Sequence, residues 1–170
     1  MSEPTHHEHK AQAPGSIGAM VITSSDTRTP DTDTSGRLIH KLLEGHGHTV
    51  VAYHIVKDEP GQIQFRIAQG TVNDAVQAII INGGTGISRR DSTYEAAAEM
   101  LEKRLDGFGE IFRYLTYQEI GSPAIMTRAV AGIVKGRVLF SVPGSENAVR
   151  LAMEKLILPE LGHLLQQLAK

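Results

Sequence analysis

Residues 82–96, NGGTGISRRDSTYEA, put three glycines, Thr85 and Ser88 directly after an apolar run, with Arg89, Arg90 and Asp91 behind them. Glycines let backbone N–H groups converge on an anion, and the two hydroxyls add further donors. Two arginines bring charge and the bidentate geometry that suits phosphate. A helix starting near Ser92 would aim its positive end at the same place. Gly83, Gly84, Thr85, Gly86, Arg89 and Arg90 therefore read as a phosphate or oxyanion site. It is not a Walker A loop, because no Gly-Lys-Ser/Thr follows. It is not the dinucleotide fingerprint either, because Gly84-x-Gly86 is followed by Arg89 where a third glycine is required.

Asp91 is the odd member. A carboxylate beside bound polyphosphate is repelled unless a cation bridges the two, which points to a hard metal such as Mg²⁺. Helix capping explains an aspartate there as well, and the residues alone leave both readings open.

Three other loops carry polar groups. In SSDTRTPDTDTSG, residues 24–36, the run Asp31-x-Asp33-x-Ser35-Gly36 imitates the start of a calcium loop. It fails at the twelfth position, where Leu42 replaces the bidentate glutamate. Asp33 or Thr34 suits a helix cap, while Ser24 and Asp26 are expected to face a cleft. Asp58, in VKDEPG, reads by itself as an ordinary turn carboxylate. Pro143, Gly144 and Ser145, with Asn147 close behind, either cap a helix or offer N–H groups to a second anion.

These loops need elements to hold them. Residues 17–23, 49–56 and 75–81 read as strands, the last apolar at nearly every position as a central parallel strand should be. Helical spacing covers 35–43, a short helix fits 62–69, and 92–105 reads as a helix opened by a Ser92/Glu95 capping box. GFGE interrupts before a helix over 111–120. Strands at 128–134 and 137–142 flank Lys135-Gly136 as a tight turn, and 145–170 closes the chain as a helix kinked or split at Pro159. Strands alternating with helices predict an α/β, three-layer αβα sandwich, mostly parallel, with a hairpin near its end. Ligands in such sheets bind beyond the carboxyl ends of the strands, where all four loops would lie.

Composition narrows the class. A chain of 170 residues with 41% hydrophobic and 21% charged residues fits one globular domain over 16–170, after a disordered, histidine-containing leader over 1–15. The net charge of −2 gives no global attraction to nucleic acid or acidic membranes, and no cysteine is present for disulfides, thiolate zinc or a thiol nucleophile. The leader lacks the apolar core of a secretory signal, and no run approaches a membrane span, so a cytoplasmic location is expected. His6, His7 and His9 read as part of the leader rather than as a metal site.

Taken together, TSSDTRTPDTDTSG, NGGTGISRRDSTYEA, GFGEIFR, TYQEIGSPAIMTRAVAG and FSVPGSENAVR resemble the MoaB/MogA family of molybdenum cofactor biosynthesis. TYQEIGSPA resembles the MoaB branch more than MogA. The resemblance runs from about residue 17 to the carboxyl terminus. It implies a molybdopterin-binding domain that, in active members, adenylylates molybdopterin with Mg-ATP and releases pyrophosphate. It implies that Asp91 and Asp58 are the catalytic carboxylates and would hold Mg²⁺ or position the triphosphate, which overrides the plain reading of Asp58. It further implies pterin contacts from Ser24, Asp26, Thr127, Pro143, Gly144 and Ser145. Implied partners are molybdopterin, ATP, further copies of the chain (a trimer, or a hexamer of two trimers) and other proteins of the pathway. A non-catalytic pterin carrier of the same fold is the alternative.

Overall fold

The computed structural model describes residues 15–170. The leader expected over 1–15, with its three histidines, lies outside the described residues except for its last position.

Six strands form one sheet in the order β2-β1-β3-β6-β5-β4. They are β1 Gly18–Ser24, β2 Thr49–Val56, β3 Ala78–Asn82, β4 Lys103–Arg104, β5 Val130–Val134 and β6 Arg137–Val142. The four strands β2, β1, β3 and β6 run parallel, and β5 and β4 are antiparallel additions. Helices α1 Thr34–Gly45, α2 Pro60–Val72, α3 Thr93–Met100, α4 Asp106–Ile120, α5 Glu146–Ala152 and α6 Leu158–Leu168 cover the two faces. This is the three-layer arrangement expected, and period-2 alternation in the strands shows why. In β3, Ala78 and Ile80 enter one core with Leu38, Ile39 and Leu161, while Ile79 and Ile81 enter the other with Ile63 and Ile67. All five residues of β3 are buried, so the strand has no face to offer water.

The β5–β6 hairpin turns at Lys135 (φ 43°) and Gly136 (φ 73°), the two successive positive angles that match strand twist in a two-residue turn. Three expectations need correction. The helix predicted over 92–105 ends at Met100, because Leu101 turns extended and the chain pairs along β5 instead. Gly132 permits this approach: a Cβ there would stand 2.2 Å from the Lys103 carbonyl oxygen. The next helix consequently starts at Asp106 and takes GFG into its first turns, with Gly109 buried. The closing helix is interrupted before Pro159 rather than at it. Met153–Ile157 forms a π-helical turn, and Pro159 then sits in the first turn of α6, where its missing N–H costs nothing.

Candidate functional site

β1 connects to β2 on one side and β3 returns to the other, so the connections diverge between β1 and β3. Crevices at such points sit beyond the carboxyl ends of the strands. Here Ser24 ends β1 and Gly83 follows β3. A Cβ on Gly83 would stand 2.2 Å from the Ser24 carbonyl oxygen, and the residue adopts φ 97°. Its N–H donates to the Val142 carbonyl (3.1 Å), which fixes the loop over the end of β6. Gly144 packs against the same glycine, so the loops after β1, β3 and β6 meet at backbone distance.

The loop after β2 joins them through Asp58. This carboxylate is 6% exposed, and its Oδ1 accepts from Ser92 N–H (3.0 Å), Ser92 Oγ (2.8 Å) and Thr93 Oγ1 (3.2 Å). The expected capping box is therefore absent. Ser92 makes no side-chain cap; a carboxylate from another loop holds the start of α3, and Glu95 pairs with Arg128 instead. Asp91 closes its own loop, with Oδ2 accepting from the Ser88 N–H (2.9 Å) and hydroxyl (2.5 Å). The other oxygens, Asp58 Oδ2 and Asp91 Oδ1, have no hydrogen-bond partner among the described residues, and they lie beside Gly84 and Gly86 respectively.

The twin arginines divide. Arg90 grips Asp26 with two bonds (2.7 and 2.9 Å) and reaches Glu59 at 3.5 Å. Its guanidinium holds Asp26 below the usual carboxylate range, and the two carboxylates raise the arginine in turn. Asp26 also accepts from the Asp58 N–H (3.2 Å), tying three loops together. Arg89 is exposed and has no partner among the described residues. Thr85 is buried, with its carbonyl taken by Arg128.

Beneath the loop after β6 lies a residue read from the sequence only as a cap. Asp33 does cap α1, accepting from Gly36 N–H (2.9 Å), but it also accepts from Thr23 Oγ1 (2.6 Å), Tyr53 OH (2.5 Å) and Arg28 (3.1 Å). Arg28 and Ser35 both donate to the Gly144 carbonyl, so the buried carboxylate sets the height of the Pro143–Gly144 turn. Ser145 caps α5 through Ala148 N–H. Thr127 stands apart from these contacts; its hydroxyl makes none to a described residue. Ser24 Oγ and Asn82 Oδ1, at the crevice floor, are buried with no partner, the condition of groups that a ligand or water completes.

Burial raises the Asp33 carboxyl, but the donors of Thr23, Tyr53, Gly36 and Arg28 outweigh it and hold the group below its ordinary 3.8. Burial, and after it the hydrogen bond to Asp33, push the Tyr53 hydroxyl up. A depressed folded pKa stabilises the protein fully above the unfolded value and loses that contribution as pH falls through the folded one. Urea unfolding as a function of pH should show stability falling below pH 3.8, with a shallower acid limb for Asp33→Asn. At neutral pH that variant should be about 1–3 kcal/mol less stable, the cost of weakening a buried charge-assisted network.

The parallel centre, the divergent connections and the loops gathered over them define a doubly wound α/β protein. A sequence profile described as "Probable molybdopterin binding domain" matches residues 20–163. Molybdenum cofactor biosynthesis protein B of Halalkalibacterium halodurans is 52% identical over 166 residues, 96% of each chain, and that of Bacillus subtilis is 51% identical with the same coverage. Among solved structures, a molybdenum cofactor biosynthesis protein B superimposes with TM-score 0.90 at 50% identity, covering 93% of this chain and 99% of the other. The tungsten cofactor synthesizing protein MoaB of Pyrococcus furiosus gives 0.84 at 36% identity, covering 93% and 100%. The chain belongs to the MoaB/MogA family of molybdenum cofactor biosynthesis, on its MoaB side.

Proposed function

We propose that this protein adenylylates molybdopterin. An oxygen of the pterin's terminal phosphate attacks the α-phosphorus of ATP and forms a new phosphoanhydride. The bond from that phosphorus to the β-bridging oxygen breaks, and its electron pair leaves with pyrophosphate. The substrate supplies the nucleophile, so the protein's share is positioning and charge neutralisation.

One observation carries the reading: Asp58 and Asp91 each spend one oxygen on the glycine-loop region and leave the other unpartnered beside Gly84 and Gly86. No group of three or more metal-ligating side chains occurs among the described residues. One or two carboxylates completed by substrate phosphates is the way Mg²⁺ is commonly held, so the residues fit a cation arriving with nucleotide. Asp58 and Asp91 would hold it, and it would neutralise triphosphate charge. Gly83, Gly84, Thr85 and Gly86 would line the phosphates, with Arg89 as the free cation. Ser24, Asp26, Pro143, Gly144 and Ser145 would border the pterin, and Thr127 is the pterin contact with least geometric support. The exposed apolar residues Ile111, Tyr114, Tyr117, Ile120 and Ile125 fit the proposed homo-oligomer, a trimer or a pair of trimers. No described helix is long and apolar enough to cross a membrane, which accords with the cytoplasmic assignment we propose.

Purified protein given molybdopterin, ATP and Mg²⁺ should release pyrophosphate. One observation favours a second reading: Arg90 is committed to Asp26 and Glu59, leaving a single free arginine near the loop. A non-catalytic pterin carrier would bind molybdopterin, bind little or no ATP and release no pyrophosphate, and that result would sink the enzymatic reading.

A further inference from the structure

We propose that Arg128 is a positioning residue that shapes the glycine loop into an anion cradle; what the cradle holds rests on the adenylyl-transfer reading, but the shaping does not. Arg128 begins the approach to β5, far along the chain from the loop, and nothing in its local sequence marks it. Its Nε donates to the Thr85 carbonyl (2.9 Å) and its Nη2 to the Gly86 carbonyl (2.6 Å). Two successive carbonyls of the loop are thus drawn to one side by a single planar group.

A trans peptide unit carries its C=O and N–H on opposite sides of one plane. Turning the Thr85 carbonyl toward Arg128 therefore turns the Gly86 N–H away from it, and the Gly86 carbonyl does the same for the Ile87 N–H. Neither N–H donates to any described residue. They are the unspent donors an anion requires. An arginine is suited to this because its fork presents several N–H groups in fixed directions, whereas a lysine ammonium is one flexible point charge.

The guanidinium is itself held in place. Glu95, one turn into α3, forms an ion pair with Nη1 and is thereby held below the usual carboxylate range. The Tyr94 ring lies under it, 5.0 Å from ring centroid to guanidinium carbon. Glu95, which the sequence pattern assigns to a capping box, thus orients the group that orients the loop. On the far side of the loop, Asp91 holds the Ser88 N–H and hydroxyl. The loop is gripped at both ends with its free amides between.

The test uses Arg128→Lys and Arg128→Ala in the full chain, with three readouts. In ligand-free protein, amide hydrogen exchange over residues 83–93 should quicken in both variants while the sheet keeps wild-type protection. Calorimetric titration with Mg-pyrophosphate should show affinity weakened about tenfold or more, the effect of losing a charge-assisted bond pair. Low millimolar guanidinium should restore much of that affinity to Arg128→Ala and none to Arg128→Lys, whose side chain still fills the site. Wild-type exchange and affinity in Arg128→Lys would overturn the proposal. So would faster exchange spread evenly over the sheet without guanidinium rescue, which would make the residue a general stabiliser. Wild-type protein that binds no pyrophosphate would count against the adenylyl-transfer reading, and the exchange comparison would still decide the role of Arg128.

Discussion

Asp91→Asn is expected to fold normally and to release pyrophosphate at least ~10²-fold more slowly than the wild type, the scale of losing one electrostatic group from a phosphoryl-transfer site. The argument separates the two oxygens of the side chain. Oδ2 accepts the Ser88 N–H and hydroxyl and so closes the loop. An asparagine oxygen can accept the same bonds, so the turn should persist and the thermal midpoint should move little. What asparagine cannot supply is the charge of the second oxygen beside Gly86. Steady-state pyrophosphate release, with a melting curve on the same samples, reads both quantities. Turnover at the wild-type rate would remove Asp91 from the chemistry.

Gly84→Ala should cost the protein stability through two separable causes, backbone strain and a side-chain clash, while leaving charge unaltered. Gly84 adopts φ 61°, and a Cβ there would stand 2.1 Å from Thr93 Oγ1 and 2.3 Å from Asp58 Oδ2. Left-handed backbone costs an alanine about 1 kcal/mol, and forcing apart a packed contact adds about 1–3 kcal/mol. A total near 3 kcal/mol corresponds to a fall in melting temperature of roughly 10 °C for a chain of this size. Gly136→Ala separates the two contributions. Its φ of 73° is similarly positive, but nothing lies within 4 Å of the new methyl. That variant should lose only about 3 °C. Equal losses in the two proteins would mean that backbone strain alone decides, and that the Asp58–Thr93 contact can give way freely.

The parts of the fold legible in the sequence are those with local causes. The apolar run AIII has no polar face, and so it became the buried centre of the sheet. Lys135-Gly136 between two β-rich runs specified its own turn. Legibility failed where a partner came from elsewhere in the chain. Leu101 to Arg104 carry helical spacing, but β5 offers an edge whose Gly132 admits a backbone, and pairing there overrides local preference. Ser92 and Glu95 have capping-box spacing, but Asp58 and Arg128 claim both side chains. The candidate site divides in the same way. Glycines and charges in residues 83–91 announce an anion loop by themselves. Asp58 looked like a turn residue until the family resemblance was added, because its value comes from contacts with residues some 35 positions away. Asp33 was read as a cap and is one, yet three of its four donors lie outside the helix it caps.

The register β1–β3–β6 has a consequence for how the site comes into being. Thr23 pairs with Asn82, and Asn82 with Val142, so the crevice floor is assembled from segments separated by most of the chain. Closing such loops carries an entropic cost that local contacts cannot offset, and it is met only when the whole sheet forms. A fragment ending before β6 would lack the Val142 carbonyl that holds Gly83, and one beginning at α1 would lack Ser24 and Asp26. No piece of the chain shorter than the span from β1 through β6 carries the site. Ligand competence and global folding are therefore a single cooperative event, and whatever binds over Gly83 stabilises the entire sheet by mass action rather than one loop of it.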